Sequence, residues 1–143
     1  MKGEWEMRRR FAVAAAALAL SVALTVPAYA GTWKYVNDQW KYQKGTNKFA
    51  YNEWIKDNGK YYYIGNDGIM KTGWQQVYGK WYYLGFAEDG SMKTYWQQIN
   101  GKWYFFGGAD DGAMKTGWQK IWGKWYYLGS ANDGAMKTGW QKI

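Results

Sequence analysis

Apolar and polar residues alternate in short runs along most of the chain, and these runs recur. From Trp74 to Tyr95 the order is W-Q-Q-V-Y-G-K-W-Y-Y-L-G-F-A-E-D-G-S-M-K-T-Y, and a similar order begins again at Trp96 and at Trp118, 22 residues further on each time. An earlier copy, 54–73, is two residues shorter. Self-similarity at a fixed period of this size indicates a repeat architecture.

Each unit contains two turn signals. The first is a residue followed by Gly-Lys, and two of its four instances, at Asn58 and Asn100, are Asn-Gly, the strongest short hairpin signal. It joins two short aromatic runs, so each unit is predicted to be a β-hairpin of two short strands. The second signal is Asp-Gly, which is predicted to link one hairpin to the next, at 67, 89, 111 and 133.

An isolated two-stranded hairpin is only marginally stable, so these hairpins must bury their aromatic faces against one another. The predicted fold is therefore all-β, a solenoid of stacked β-hairpins. Residues 31–53 are predicted to form a degenerate N-terminal capping repeat with a turn at Gly45-Thr46-Asn47. Residues 54–143 are predicted to form the array, with about four hairpin repeats, the last of them incomplete.

A two-residue turn at Tyr78-Gly79 would decide which side chains share a face. It places Trp74 opposite Tyr83 and Gln76 opposite Trp81, so the two Trp and Tyr83 project from one face. The other face then carries Val77, Tyr82 and Leu84. Where consecutive hairpins meet, two Trp and a Tyr from the next hairpin would surround a gap. Such a cage suits a quaternary ammonium ion, which is attracted to ring faces.

Residues 1–30 are organised like a secretory signal peptide. Arg8-Arg9-Arg10 is basic, 11–26 is apolar or small, and Ala28-Tyr29-Ala30 is a small-x-small cleavage site. The apolar run is shorter than the roughly 20 residues that span a bilayer, which favours cleavage over a membrane anchor. The mature protein is therefore predicted to begin at Gly31, to be secreted, and to have no membrane partner after the signal peptide is cleaved.

The amino-acid composition limits the classes of function that the chain is expected to have. The chain has 12 Trp and 14 Tyr but no Cys and no His, which removes thiolate nucleophiles, the usual general base and the commonest metal ligands. The sequence therefore predicts no enzyme, no catalytic residue, no metal and no cofactor. Net charge is +8, which suggests an anionic partner. Every Arg lies in the leader, and Arg supplies the main base contacts, so a nucleic-acid partner is disfavoured.

The sequence at 117–140, G-W-Q-K-I-W-G-K-W-Y-Y-L-G-S-A-N-D-G-A-M-K-T-G-W, resembles the cell-wall-binding repeat of the choline-binding modules of Gram-positive surface proteins. Relatives of this repeat occur in glucan-binding regions of glucosyltransferases. The resemblance covers about 40–143, with good matches from Trp54. It implies a left-handed β-solenoid and choline sites between successive hairpins. The implied partner is choline-bearing teichoic acid or another cell-wall polysaccharide.

Carried onto this chain, the resemblance implies sites made of two Trp of one repeat, a Tyr of the next and a nearby Met. The implied cages are Trp74, Trp81 and Tyr104, then Trp96, Trp103 and Tyr126, and a weaker one of Trp54, Tyr61 and Tyr82, because Tyr61 replaces a Trp. The accompanying methionines are Met92 and Met114. Tyr95, which replaces a Gly of the pattern, would alter the site beside Trp96.

Three alternatives stay open. Trp and Tyr platforms also stack on sugar rings, so a glucan- or carbohydrate-binding protein of the same repeat family is the second candidate. Lys71, Lys93 and Lys115 would either meet wall phosphates or be ordinary solvated surface. Trp118 and Trp125 have no following hairpin in the sequence, so this open end would pair with a second molecule to form a dimer, or the reading frame is truncated.

Overall fold

The computed structural model describes residues 30–142, which form two compact units, 30–93 and 94–142. The predicted leader, apart from Ala30, lies outside the described residues. The described part contains no helix, and hence none long and apolar enough to cross a membrane. All of its regular elements are strands in antiparallel pairing, so the all-β prediction is confirmed.

The first unit begins with a three-stranded sheet and continues with two hairpins. Its strands are β1 (Thr32–Val36), β2 (Gln39–Gly45), β3 (Lys48–Phe49), β4 (Glu53–Asp57), β5 (Lys60–Ile64), β6 (Trp74–Val77) and β7 (Lys80–Tyr83). The second unit contains two hairpins, made of β8 (Tyr95–Ile99), β9 (Lys102–Phe106), β10 (Trp118–Ile121) and β11 (Lys124–Tyr127). Each strand of a hairpin pairs only with its partner and, in the first sheet, β2 also pairs with β3.

The predicted register is confirmed in the β6–β7 hairpin, where Trp74 pairs with Tyr83 and Gln76 with Trp81. The cause is the two-residue turn, in which Tyr78 and Gly79 both have positive φ, 49° and 78°. This backbone geometry matches the right-handed twist of the flanking strands. The same angles recur in the Asn58, Asn100 and Trp122 turns, with φ of 48° to 49° at the first position.

The hairpin face opposite Trp74 and Trp81 is buried. Val77, Tyr82 and Leu84 are 5%, 4% and 0% exposed. In the second unit the corresponding cluster is Phe105, Ile121 and Leu128, against which Tyr95 and Trp122 also pack. Burial of these side chains is the main favourable term that holds a hairpin to its neighbours.

Within each unit, successive hairpins are joined by a Met-Lys dipeptide that follows a link. The Lys amide donates to the second strand of its own hairpin, as in Lys93 N to Tyr83 O at 2.8 Å. The Met amide donates to the preceding hairpin instead, as in Met92 N to Tyr61 O at 2.7 Å. Two neighbouring backbone groups thus connect two layers of the stack, which explains why this dipeptide recurs.

Two of the hairpin turns, at Tyr78 and Trp122, carry a bulky residue that the backbone conformation does not favour. Tyr78 is 80% exposed, yet it adopts a left-handed φ that costs most L-residues about 1–2 kcal/mol. Asn tolerates this region, so Tyr78→Asn is expected to raise the free energy of unfolding by roughly 0.5–1 kcal/mol. Urea unfolding at equilibrium measures the change. The reverse substitution at the equivalent turn, Asn100→Tyr, should lower stability by a similar amount, and a rise in that variant would contradict the account.

Candidate functional site

In the second unit, three of the predicted site residues lie together. Trp96 begins the outward face of β8, Trp103 lies on β9, and Tyr126 comes from β11 of the next hairpin. The Trp96 and Trp103 ring centroids are 6.5 Å apart at 83°, and those of Trp96 and Tyr126 are 4.9 Å apart at 68°. All three rings are half-buried, and Trp103 and Tyr126 each meet the Trp96 ring in an edge-to-face arrangement, as the walls of a cage would. We call these residues the Trp96 set.

Trp96 is held in place from behind by Phe105. The two residues pair across the strands, their rings are 5.2 Å apart, and Phe105 is fully buried. Tyr104, the neighbour of Phe105, is only half-buried, which agrees with its being predicted for a site in preference to Phe105. Burial, and then the nearby Asp133, raise the pKa of Tyr104, while Lys137 opposes them. Its phenol therefore stays neutral at physiological pH.

The methionine beside the Trp96 set is Met136, which the sequence analysis missed. Met136 packs against the cluster that includes Trp96 and Tyr126, and its amide donates to Trp103 O at 2.8 Å. Of the two predicted methionines, Met92 is tied through its amide to Tyr61 of the predicted weaker cage. The Met114 thioether lies against Gly134. The sequence does contain a signal for Met136, because it follows Trp103, the second Trp of its repeat, by 33 residues.

The first unit contains an equivalent set that was not predicted. Trp33 and Trp40 lie on the β1–β2 hairpin with centroids 6.4 Å apart at 89°, and Tyr62 of β5 lies 4.9 Å from Trp33 at 68°. Met70 packs in the same cluster, and its amide donates to Trp40 O at 2.9 Å. These distances reproduce the Trp96 set. We call Trp33, Trp40 and Tyr62 the Trp33 set.

The residues of the predicted weaker cage also meet, but they are closed. Trp54 and Tyr82 are 4.9 Å apart at 65°, as in the other sets. However, Trp54, Tyr61 and Tyr82 are only 7%, 3% and 4% exposed. The protein's own Lys56 places its ammonium 5.0 Å from the centre of the Tyr61 ring. A smaller ring at position 61 and an internal cation give physical support to the prediction of weaker binding here.

The remaining predicted site draws on both units and stays a prediction. Within the first unit, Trp74 and Trp81 have the same arrangement as the other pairs, with centroids 6.4 Å apart at 81°. Both are half-buried, and Tyr83 packs behind Trp74 at 5.3 Å. Tyr104, their predicted third ring, belongs to the second unit.

Tyr95 takes the conformation of the glycine that it replaces. Its φ is 58°, close to the 68° and 69° of Gly73 and Gly117 in the neighbouring repeats. For a bulky side chain this is a strained backbone. Its ring packs against Phe105 and Trp122, with centroids 6.4 Å and 6.3 Å away. Tyr95 therefore influences the Trp96 set through Phe105, on which both rings pack.

The lysines predicted as phosphate contacts or solvated surface are ion-paired. In each link the Lys of Met-Lys binds the Asp four residues before it, as in Lys71 with Asp67 and Lys115 with Asp111, both at 2.6 Å. Lys93 pairs with Asp89 in the same way. The pair closes the loop of the link over a glycine, because a Cβ at Gly85 would lie 2.6 Å from an Asp89 oxygen. The first role of these lysines is thus structural.

The Asp carboxylates of the links should make the stability of the fold sensitive to acid. A hydrogen bond from Lys71 lowers the pKa of Asp67, and one from Lys137 lowers that of Asp133. At Asp89, burial opposes the shift, but hydrogen bonds from Lys93 and Ser91 lower the pKa nonetheless. The pKa of each carboxyl is thus lower in the folded chain than its ordinary value of about 3.9 in the unfolded chain. Each ion pair therefore contributes its full stabilisation above about pH 3.9, and this contribution is lost as the pH falls through the lower pKa of the folded chain.

We therefore expect the thermal midpoint of unfolding to fall as the pH drops below about 4. Each ion pair should contribute no more than about 1 kcal/mol to the free energy of unfolding, because these carboxylates are partly exposed. Thermal scans between pH 7 and pH 2 measure it. Asp89→Asn should be less stable at pH 7 and should show a smaller fall. An identical pH profile in that variant would contradict a role for the Asp89 pair.

Comparison with known proteins now identifies the repeats. A family model described as choline-binding repeat matches 93–140, and one described as putative cell wall binding repeat matches 52–70 and 72–92. The chain belongs to the choline-binding cell-wall repeat proteins. The matched segments cover more than half of the chain and include the Trp96 set. The Trp33 pair lies before them.

Solved structures agree with this assignment. Choline-binding protein F from Streptococcus pneumoniae, crystallised in the presence of a peptidoglycan analogue, is 45% identical, with a TM-score of 0.71 over 80% of this chain. The pneumococcal cell-wall endolysin from phage Cp-1, complexed with choline, is 38% identical, with a TM-score of 0.59 over 78%. The chain spans only about a third of their length, 36% and 32%. A search of curated protein sequences finds no match.

Proposed function

We propose that this chain is a non-catalytic, secreted binding module that attaches to the bacterial cell wall by holding the choline groups of teichoic acids in its aromatic cages. The observation that carries the proposal is the Trp96 set, in which Trp103 and Tyr126 meet the Trp96 ring edge to face and Met136 packs against the same buried cluster as Trp96 and Tyr126. A trimethylammonium group is weakly hydrated and is attracted to several ring faces at once.

The energetics favour a polymer over a free ligand. Each ring contributes about 0.5–2 kcal/mol to binding a cation, so three rings, less the cost of association, correspond to roughly millimolar affinity. Several cages on one chain can engage successive choline groups of one polymer, which raises the overall affinity by on the order of 10²–10⁴. A repeat array with weak sites is therefore suited to a repetitive wall polymer.

Retention on choline-agarose tests the proposal. The chain should be retained and should elute with free choline, because the immobilised ligand presents many headgroups at once. A titration of Trp fluorescence with choline and, separately, with glucan oligomers completes the experiment. Binding of glucan without any response to choline would overturn the proposal in favour of a carbohydrate-binding protein.

Matched variants assign the binding to the cages. Trp96→Leu should weaken retention, since it removes a wall of the Trp96 set, whereas Trp140→Leu should leave it unchanged. Trp140 is fully exposed, so its loss costs little packing. Circular dichroism on both variants controls for folding. Equal retention of the two variants would count against the Trp96 set as a choline site.

The absence of catalysis is a separate claim, because the chain covers about a third of an endolysin to which it is similar. Cell-wall zymography of the purified chain tests it, and a zone of clearing would overturn it.

The predicted dimer through the last repeat is tested by light scattering with and without choline. Trp118 and Trp125 there are 56% and 63% exposed, and a strictly monomeric chain at high concentration would refute that prediction.

A further inference from the structure

In the Trp33 set a carboxylate is hydrogen-bonded to one of the rings, whereas in the Trp96 set the indole nitrogens of Trp96 and Trp103 have no hydrogen-bond partner. The indole nitrogen of Trp33 donates a hydrogen bond to Oδ2 of Asp57 at 3.0 Å. Asp57 is the last residue of β4, and its cross-strand partner is Lys60. The next strand, β5, supplies Tyr62, the third ring of the set. A carboxylate is therefore fixed at the edge of one wall of this cage, on the hairpin that provides another wall.

The charge of Asp57 is felt at the rings. Burial raises the pKa of Tyr62, and the negative charges of Asp89 and Asp57 raise it further. A carboxylate that accepts the indole N–H also polarises that ring toward a more negative face, which strengthens its attraction for a cation. The direct attraction between the carboxylate and a cation in the cage adds to this effect.

The Trp96 set provides the matched comparison within the same chain. There the last strand residue, opposite Lys124, is Ile121, which is 2% exposed and uncharged. The indole nitrogen of Trp96 is buried and has no hydrogen-bond partner, and the same is true of Trp103. Both hairpins carry a Lys opposite the position in question, so the lysines do not distinguish the two sets. The carboxylate does.

The open faces of the Trp33 set are accessible to a ligand. Trp33, Trp40 and Tyr62 are half-buried, unlike the closed rings around Trp54. A fourth ring, Tyr35, lies 5.0 Å from Trp40 and is 57% exposed. This exposed ring adds aromatic surface beside the Trp33 set.

We infer that Asp57 is a specificity-determining residue, which gives the Trp33 set a greater preference for a cationic headgroup over a neutral one than the Trp96 set has. The inference rests on the proposed function, because it concerns the same class of quaternary ammonium ligand. It ranks the two sets: the Trp33 set fills first with choline, and the two sets do not differ toward an uncharged molecule of the same shape.

Site-resolved NMR tests this ranking. Indole N–H signals of the ¹⁵N-labelled chain are followed during titration with choline and with 3,3-dimethylbutan-1-ol, its uncharged isostere. The Trp33 and Trp96 signals are assigned from Trp33→Phe and Trp96→Phe. We expect a choline Kd about three- to ten-fold lower at Trp33 than at Trp96, as one additional partly screened charge would give. For the isostere the two Kd values should agree within about two-fold.

Asp57→Asn should reduce the difference between the two sets for choline while keeping a hydrogen-bond acceptor beside Trp33; the charge of Asp89, which also acts on Tyr62, stays in that variant. Asp38→Asn removes the same charge from the exposed β1–β2 turn, where φ is 59°, and should leave the ranking intact. If Asp57→Asn does not fold, the choline-to-isostere ratio of the unmodified chain decides the question alone. A Trp33 signal that ignores choline, or equal ratios at both sets, overturns the inference. Absence of any choline response at either indole refutes the proposed function instead.

Discussion

Replacing Phe105 by alanine is expected to lower the free energy of unfolding by about 3–5 kcal/mol. Phe105 is 0% exposed and belongs to the cluster with Ile121 and Leu128. Its ring also supports Trp96 and Tyr95. The truncation would leave a cavity that these aromatic neighbours cannot fill without leaving their own positions. Urea unfolding monitored by Trp fluorescence measures the loss.

The control is Phe86→Ala. Phe86 is 75% exposed, so this substitution removes the same atoms as Phe105→Ala but from the surface. Its cost should stay below about 1 kcal/mol. Binding separates two consequences of the Phe105 change: under conditions where the variant is still folded, choline should bind the Trp96 set less tightly, since its supporting ring is gone. A Phe105→Ala loss no larger than that of Phe86→Ala would contradict the packing account.

Gly90→Ala is the second large effect that we expect, with a loss of roughly 2–3 kcal/mol. Gly90 has φ of 63°, which alone costs an alanine about 1–2 kcal/mol. In addition, a Cβ there would lie 2.5 Å from Sδ of Met70, which is 8% exposed. Displacing this thioether from a packed cluster adds an overpacking cost of about 1 kcal/mol or more. Equilibrium unfolding in urea measures the total.

Gly79→Ala separates the two costs. Gly79 has φ of 78°, but nothing lies within 4 Å of its would-be Cβ, so only the backbone cost of about 1–2 kcal/mol applies. A double-mutant cycle with Met70→Ala isolates the rest: in that background, Gly90→Ala should cost no more than Gly79→Ala. If the cost of Gly90→Ala is the same with and without Met70, the glycine is required for its backbone alone.

Much of this architecture could be predicted because turns determine register. Once Tyr78-Gly79 is taken as a two-residue turn, Trp74 must face Tyr83, and this pairing is observed. The Trp33 set was missed because the turn of its hairpin was not recognised in the sequence. Its hairpin turns at Asn37-Asp38, with φ of 51° and 59°, and this turn contains no glycine. The available signal was the spacing of seven residues from Trp33 to Trp40, the same as from Trp74 to Trp81.

The electrostatic features could not be read from the repeats in the same way. Whether Lys93 is free or paired depends on how the link folds back, and the pairing with Asp89 arises because the loop closes over Gly85. The hydrogen bond from Trp33 to Asp57 joins residues 24 positions apart in different hairpins. It requires the stacking distance between layers, which a single-repeat pattern does not contain.

The Met-Lys dipeptide has a consequence for hydrogen exchange. The amide of Met136 is bonded across the junction to Trp103, while the adjacent amide of Lys137 is bonded within its own hairpin to Tyr127. Opening of the junction exposes only the first, whereas unfolding of the hairpin exposes both. Amide exchange is set by the free energy of the opening that exposes each group, so two consecutive residues report two different motions. A ligand that bridges two layers should slow exchange at Met136 more than at Lys137.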